Sequence, residues 1–388
     1  MVQPNGRIVE IGSTVVDGVR QLAMIRFLPD GSPDPSFGAH NSGRRIIAIR
    51  GEPGPIDIAL QPDGKILVAE PMTVFRYEAD GTPDRAFGDR GRAVISSPQF
   101  LDEGAAIGVG GDGSIIVGGS IVVPGSEVDF ALVRLSPDGR MDHSFGRDGV
   151  ATVDFGGRTD WLHDLTIGGR GRVVVGGSVF RHLPPPPGSD DGGLQSLMGV
   201  ARLLVDGTRD SGFGRGGRTL VRFFPGVEAK LAGLDSLAVQ GDGSLVLAGR
   251  GYSPRVGLFA RLHRGGELDE TFGRNGRVVL RTTDPKVQIT GHIDIDDADR
   301  IVAASWEVGH TGRPYGPETA IIRLTPSGAL DRRFASDGIG LADVPFENSP
   351  SDVAVTPTNL IVGGSAHGGS RWRWDFALFA FSERTTSS

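Results

Sequence analysis

The chain has 388 residues and no cysteine, so neither disulfides nor thiolate metal sites support its fold. A net charge of −7 and a pI near 5.7 exclude the basic footprint of a nucleic-acid binder, although arginine far outnumbers lysine, which occurs only at Lys65, Lys230 and Lys286. No apolar stretch approaches the length of a membrane span, and the start Met-Val-Gln-Pro-Asn-Gly-Arg-Ile-Val lacks the basic region and apolar run of a signal peptide.

Taken in chain order, the 61 glycines and 25 prolines punctuate short apolar runs, as expected of strands joined by tight turns. The stretch between Gly91 and Phe145 shows a complete period. Arg92–Ser96 is a first strand, and Ala106–Gly110 a second, with apolar Ile107 and Val109 alternating with small residues. A Gly-Asp-Gly turn at 111–113 leads to a third strand, Ile115–Gly119, and Phe130–Leu135 makes the fourth. Each period then closes on an aspartate and a Phe-Gly pair, from Asp34-Pro-Ser-Phe37 through Asp84, Asp142, Asp210 and Asp269 to Asp331-Arg-Arg-Phe334. The phenylalanines Phe37, Phe87, Phe145, Phe213, Phe272 and Phe334 are 50, 58, 68, 59 and 62 residues apart, the period of a repeat architecture.

Four hairpin-connected strands per period predict the blade of a β-propeller. The third run occurs seven times, beginning at Ile8, Ile66, Ile115, Val173, Leu245, Ile301 and Leu360; the fourth also occurs seven times, and the first six times. The expected fold is therefore all-β: a seven-bladed propeller of four-stranded antiparallel blades, one blade lacking a strand. It forms one domain over 1–383, in units of about 1–49, 50–97, 98–155, 156–223, 224–282, 283–344 and 345–383, with a disordered tail at 384–388. The missing strand is either the outermost of the last blade or an innermost one, the latter implying a clipped N-terminus.

The chain resembles the delta-sixty repeat proteins, a β-propeller family of unknown function, in its Phe-Gly-x-x-Gly element (Phe145–Gly149, Phe272–Gly276) and its Gln61-Pro-Asp-Gly-Lys-Ile-Leu-Val-Ala turn. The resemblance covers essentially the whole chain, implies a bacterial secreted or cell-surface setting, and attaches no activity to the repeat. Two departures, Phe334-Ala335 and Asp297-Ala-Asp299, lose a glycine and predict looser turns.

A residue present in every blade is placed everywhere by symmetry, so the repeated aspartates are expected to accept backbone N–H groups and the phenylalanines to plug the gaps between blades. No cofactor is expected. The acidic run Asp294-Ile-Asp-Asp-Ala-Asp299 has a superficial calcium-loop look, but it aligns with a strand and its turn and lacks the distal glutamate.

Length variation instead gathers in the loops of one face, with the aromatic and arginine residues Trp161, Tyr252, Arg255, Trp306, His310, Arg313, Tyr315, Arg371, Trp372 and Trp374 as candidate ligand contacts. At the expected channel mouth, equivalent positions before the second strand hold Asp57, Asp164, Ser236, His292 and Asp352, with Ala106 breaking the series. His163, His292 and Asp164 are the candidate catalytic residues there. Two functions follow. The main expectation is a non-catalytic binding or interaction module, monomeric, taking a glycan, a small molecule or a protein on the variable face. The alternative is a propeller lyase or hydrolase with a polar active site at the channel mouth.

Overall fold

The computed structural model describes residues 1–38, 42–47, 57–70, 72–96, 106–123, 128–157, 159–182, 193–224, 232–252, 255–280, 287–307, 319–335, 337–341, 348–356, 358–367 and 374–382. It is an all-β seven-bladed propeller of antiparallel sheets. Blade 1 holds β1 (Ile8–Val16), β2 (Val19–Phe27) and β3 (Arg44–Ile47); blade 2 holds β4 (Asp57–Leu60), β5 (Ile66–Glu70), β6 (Thr73–Tyr77) and β7 (Arg92–Val94). Blade 3 holds β8 (Ala106–Val109), β9 (Ile115–Ile121), β10 (Asp129–Leu135) and β11 (Val150–Val153). Blade 4 is built from β12 (Thr159–Ile167), β13 (Val173–His182), β14 (Leu194–Leu203) and β15 (Arg218–Val221). Blade 5 is β16 (Ala232–Val239), β17 (Leu245–Tyr252), β18 (Arg255–Leu262) and β19 (Arg277–Leu280). Blade 6 is β20 (Val287–Ile295), β21 (Ile301–Glu307), β22 (Thr319–Leu324) and β23 (Ile339–Leu341), and blade 7 is β24 (Asn348–Val355), β25 (Asn359–His367) and β26 (Trp374–Ser382).

Among the described residues two blades, not one, have three strands. The tally of first runs accounts for the outer strand that blade 7 lacks, but the second run also occurs only six times, and its absence leaves blade 1 without a first strand. The chain divides into two compact units, Met1–Gly176 with Val200–Ser211, and Gly177–Gly199 with Gly212–Ser388. Within the first, β4 packs on β8 and β8 on β12; within the second, β16 packs on β20 and β20 on β24. The second run of the sequence is thus the inner strand of its blade, and this decides which side chains neighbouring blades share.

The turn between inner and second strands is a three-residue loop. Gly110 and Ser114 bond across it, Asp112 Oδ1 accepts the Ser114 N–H at 3.0 Å, and Gly113 alone takes the left-handed conformation, at φ 81°. Asp299 at φ 58° and Ala335 at φ 44° adopt the same conformation without glycine and keep the turn bonds Asp299 N–H to Asp296 O and Gly338 N–H to Phe334 O. The left-handed conformation is one an aspartate tolerates, whereas for Ala335 it costs about 1–2 kcal/mol.

The repeated closing element is a joint. In six blades an arginine eight residues ahead donates from Nε to the aspartate Oδ2 at 2.7–2.8 Å, as in Arg76 to Asp84 and Arg261 to Asp269. Asp Oδ1 turns back to accept the N–H two residues on, as in Ser36 to Asp34 at 2.9 Å. Five of these guanidinium groups stack over the phenylalanine of their own repeat, 4.5–5.1 Å from the ring centroid. The ring also meets the glycine of the next repeat's Asp-Gly or equivalent turn: a Cβ on Gly81, Gly139, Gly207, Gly266 or Gly328 would lie 2.7–3.1 Å from Phe37, Phe87, Phe145, Phe213 or Phe272. These five rings are fully buried, each contributing about 2 kcal/mol or more. The aspartates and phenylalanines stand out in the sequence. Their arginine partners do not, although they recur at a fixed spacing.

Candidate functional site

Inner strands place the predicted polar series, and in most of it the side chains are committed to the backbone. Asp57 Oδ1 accepts the Ile58 N–H at 2.7 Å and its Oδ2 the Ile107 N–H at 2.8 Å, tying β4 to β8. Asp164 is buried and accepts the Leu165 N–H at 2.7 Å, while Ala106 offers no polar atom. Ser236, fully buried, accepts the Ile293 N–H at 3.1 Å and ties β16 to β20. Asp352 accepts the Val353 N–H at 2.8 Å. Asp294, which the sequence shows only as the first residue of the acidic run, accepts the N–H groups of Ile295 and Val355, both at 2.8 Å, and so ties β20 to β24. His163 is exposed on β12, and Trp161 on the same strand is half-buried.

The second unit adds a feature that the residue spacing does not show. Its three inner strands each carry a register shift at the same level, between Leu234 and Ser236, between Ile289 and Ile293, and between Pro350 and Asp352. A bulge bends its strand and re-aims a side chain. In β16 the extra residue is Asp235, whose Oδ1 accepts two bonds from Arg250 on β17, from Nε at 3.1 Å and Nη2 at 2.6 Å. Among the described residues its Oδ2 has no hydrogen-bond partner, and the whole side chain is only 11 % exposed. Burial pushes the Asp235 carboxyl above the ordinary carboxylate range, while Arg250 and the nearby imidazole of His292 pull against it. Asp294 is pushed up as well, by burial first and then by the charge of Asp352, against the hydrogen bonds from Val355 and Ile295. Asp235 on β16 thus lies in the field of Arg250 on β17 and of His292 on β20, and Asp294 on β20 in that of Asp352 on β24, polar groups carried by neighbouring blades of one unit. The available signal for Asp235 was negative: it fills a position held by His163, Gly291 and Ser351 in other blades, so no pattern draws the eye to it.

Of the predicted aromatic and basic contacts, Tyr252 and Arg255 are backbone-paired positions at the tip of the β17–β18 hairpin, and Trp306 and Trp374 lie near the corresponding ends of β21 and β26. His310, Arg313, Tyr315, Arg371 and Trp372 lie outside the described residues. Among the described residues one trio of carboxylates has metal-ligand spacing. Asp129, Asp154 and Asp160 have oxygens within 4.8 Å of one another, a donor set suited to a hard cation. In the acidic run considered for calcium, Asp296 instead accepts the Ala298 and Arg300 N–H groups at 2.9 Å and pairs with the Arg300 guanidinium, and Asp299 accepts the Gly241 N–H at 2.7 Å. No helix among the described residues is long and apolar enough to cross a membrane.

Four segments, residues 3–37, 61–87, 110–145 and 240–272, match the family model "Domain of unknown function (DUF5122) beta-propeller". The match supports an uncharacterised β-propeller family. No curated protein matches the chain. Among solved structures it is similar to an α-L-arabinanase from Penicillium chrysogenum complexed with arabinobiose, with 11% identity and a TM-score of 0.47 over 84% of this chain and 93% of that one. It is also similar to an exo-1,5-α-L-arabinanase from a bovine ruminal metagenomic library, with 10% identity and a TM-score of 0.36 over 73% and 93% of the two chains. A third is an exo-β-1,3-galactanase from Phanerochaete chrysosporium, with 12% identity and a TM-score of 0.35 over 74% and 61%. The expectation of a non-catalytic binding module does not agree with these names, all of which are enzymes, whereas the alternative, a propeller hydrolase or lyase, does. At such identities the likeness speaks to the fold.

Proposed function

We propose that the protein is an enzyme, a hydrolase or lyase, with Asp235 and His292 as the acid–base pair on the inner strands β16 and β20. One observation carries the reading. Asp235 is a buried carboxyl on a bulge, fixed through Oδ1 by Arg250, with Oδ2 left without a partner. Burial that raises its pKa keeps the proton on Asp235 over a wider pH range, so that it can give that proton to a leaving oxygen. His292 is the matching group for taking a proton from water or from a carbon next to an activating group. Arg250 holds the acid in place and is a positioning residue. The paired strand residues place Asp235 about three rungs, or ~10 Å, below the Tyr252–Arg255 hairpin tip, so that tip, with Trp306 and Trp374, is proposed as the rim that a long substrate crosses. Glycosides are the substrate class to test first, because their alkoxide leaving group needs a neutral carboxyl as acid. The finer reading of the repeat as the delta-sixty type rests on Phe145–Gly149 and Phe272–Gly276.

The test is a screen of soluble polysaccharides and chromogenic glycosides for new reducing ends or unsaturated products. On any substrate found, Asp235→Asn and His292→Gln should each lower kcat by about 10²–10⁴ with little change in melting temperature. Retention of activity within about twofold in Asp235→Asn would remove the proposal.

A further inference from the structure

Asp235 and His292 have the same backbone setting: each lies where its strand leaves the ladder. β16 pairs Leu234 with Gly249 and Ser236 with Ala248, so Asp235 has no rung of its own. β20 pairs Ile289 with Ser305 and Ile293 with Ala303, so residues 290–292 stand against Ala304 alone. A ladder fixes a side chain by fixing the backbone beneath it, and a bulge gives up that restraint locally. The rungs beside the two bulges must then place the acid and the base relative to one another.

Those rungs are joined across the blades. Ser236 and Ile293 are the first paired residues after the two bulges, and the fully buried Ser236 Oγ accepts the Ile293 N–H at 3.1 Å. One hydrogen bond therefore runs from the chain neighbour of Asp235 to the chain neighbour of His292. The same tie occurs in the first unit, where Asp57 Oδ2 accepts the Ile107 N–H at 2.8 Å on strands that run without a register shift. Blade 5 makes it with a serine instead of an aspartate. A neutral acceptor keeps a second negative charge away from Asp235 and out of the field of His292.

We propose that Ser236 is the positioning residue of this pair: by fastening β16 to β20 just after both bulges, its hydroxyl sets the separation of Asp235 and His292. The inference rests on the acid–base reading of those two residues.

The test reads the pair directly and needs no substrate. The chain has eight histidines, and the His292 resonance is the one lost in His292→Gln. Its titration is followed by NMR in the wild type, Asp235→Asn, Ser236→Ala and the double variant. Arg250, Asp294 and Asp352 are kept in all four, so their fields cancel in the comparison. Asp235→Asn withdraws an attraction on the imidazolium and should lower the His292 midpoint by about 0.5 or more when Ser236 is present. In the Ser236→Ala background that shift should fall to less than half, and Ser236→Thr, which keeps the acceptor, should restore it. Ser236→Cys, similar in size with a weak acceptor, replaces the alanine variant if that protein does not fold. Equal shifts with and without the hydroxyl overturn the positioning role and leave the pair standing. No shift in either background removes the pair itself, and the proposal with it. On any substrate found, Ser236→Ala should lower kcat by about 10–10² with KM unchanged.

Discussion

The joint between blades predicts a coupling that simple burial would not. Phe87 is fully buried, with Arg76 4.5 Å from its ring centroid and Gly139 so close that a Cβ there would sit 2.7 Å from the ring. Phe87→Ala removes the ring and should cost about 4 kcal/mol in transfer and cavity terms. Gly139→Ala carries two penalties. One is about 1–2 kcal/mol for an alanine at φ 87°, the other about 2 kcal/mol for forcing its methyl group against the ring. In the double variant the ring is gone, so only the backbone penalty adds to the cavity, and the total should fall about 2 kcal/mol short of the sum. Urea unfolding of the wild type, both single variants and the double variant measures this cycle. Additivity within about 0.5 kcal/mol would refute the ring-on-glycine joint, and so would a Phe87→Ala cost under about 1.5 kcal/mol.

Three further outcomes follow from the same geometry. Burial raises the Asp34 carboxyl, but hydrogen bonds from Ser36 and Arg7 and the charge of Arg26 outweigh it and bring the pKa down from 3.8 to about 2. A depressed carboxylate stabilises the fold above its unfolded pKa, so about 2 kcal/mol should be lost as pH falls from near 3.8 toward 2. Urea midpoints across that range should fall less steeply in Asp34→Asn than in the wild type. Ser236→Ala leaves the buried Ile293 N–H without its acceptor and should cost about 1–3 kcal/mol, while a neutral result would show that the inner strands do not need the tie. Ala335→Gly relieves a left-handed alanine and should stabilise by about 1 kcal/mol in the same assay, whereas a loss would mean that the strain is not there.

The sequence by itself determined the blade number, the strand content of a full period and the joints. These are local and periodic: a two-residue apolar alternation, a turn that needs a left-handed residue, and an aspartate followed by a buried ring recur in six or seven copies, and repetition makes each of them visible. The tertiary structure decided which run lies innermost, and with it what the polar positions do. Asp57, Ser236 and Asp294 tie strands 50–61 residues apart in sequence, a role set by the packing of neighbouring blades and by no local pattern. Asp235 is the extreme case. One bulge re-aims it, Arg250 holds it from the next strand, and the charge of His292 acts on it from the next blade. Periodicity shows what every blade repeats, whereas the buried Asp235 is what one blade does differently, and only the packing of neighbouring strands brings that difference out.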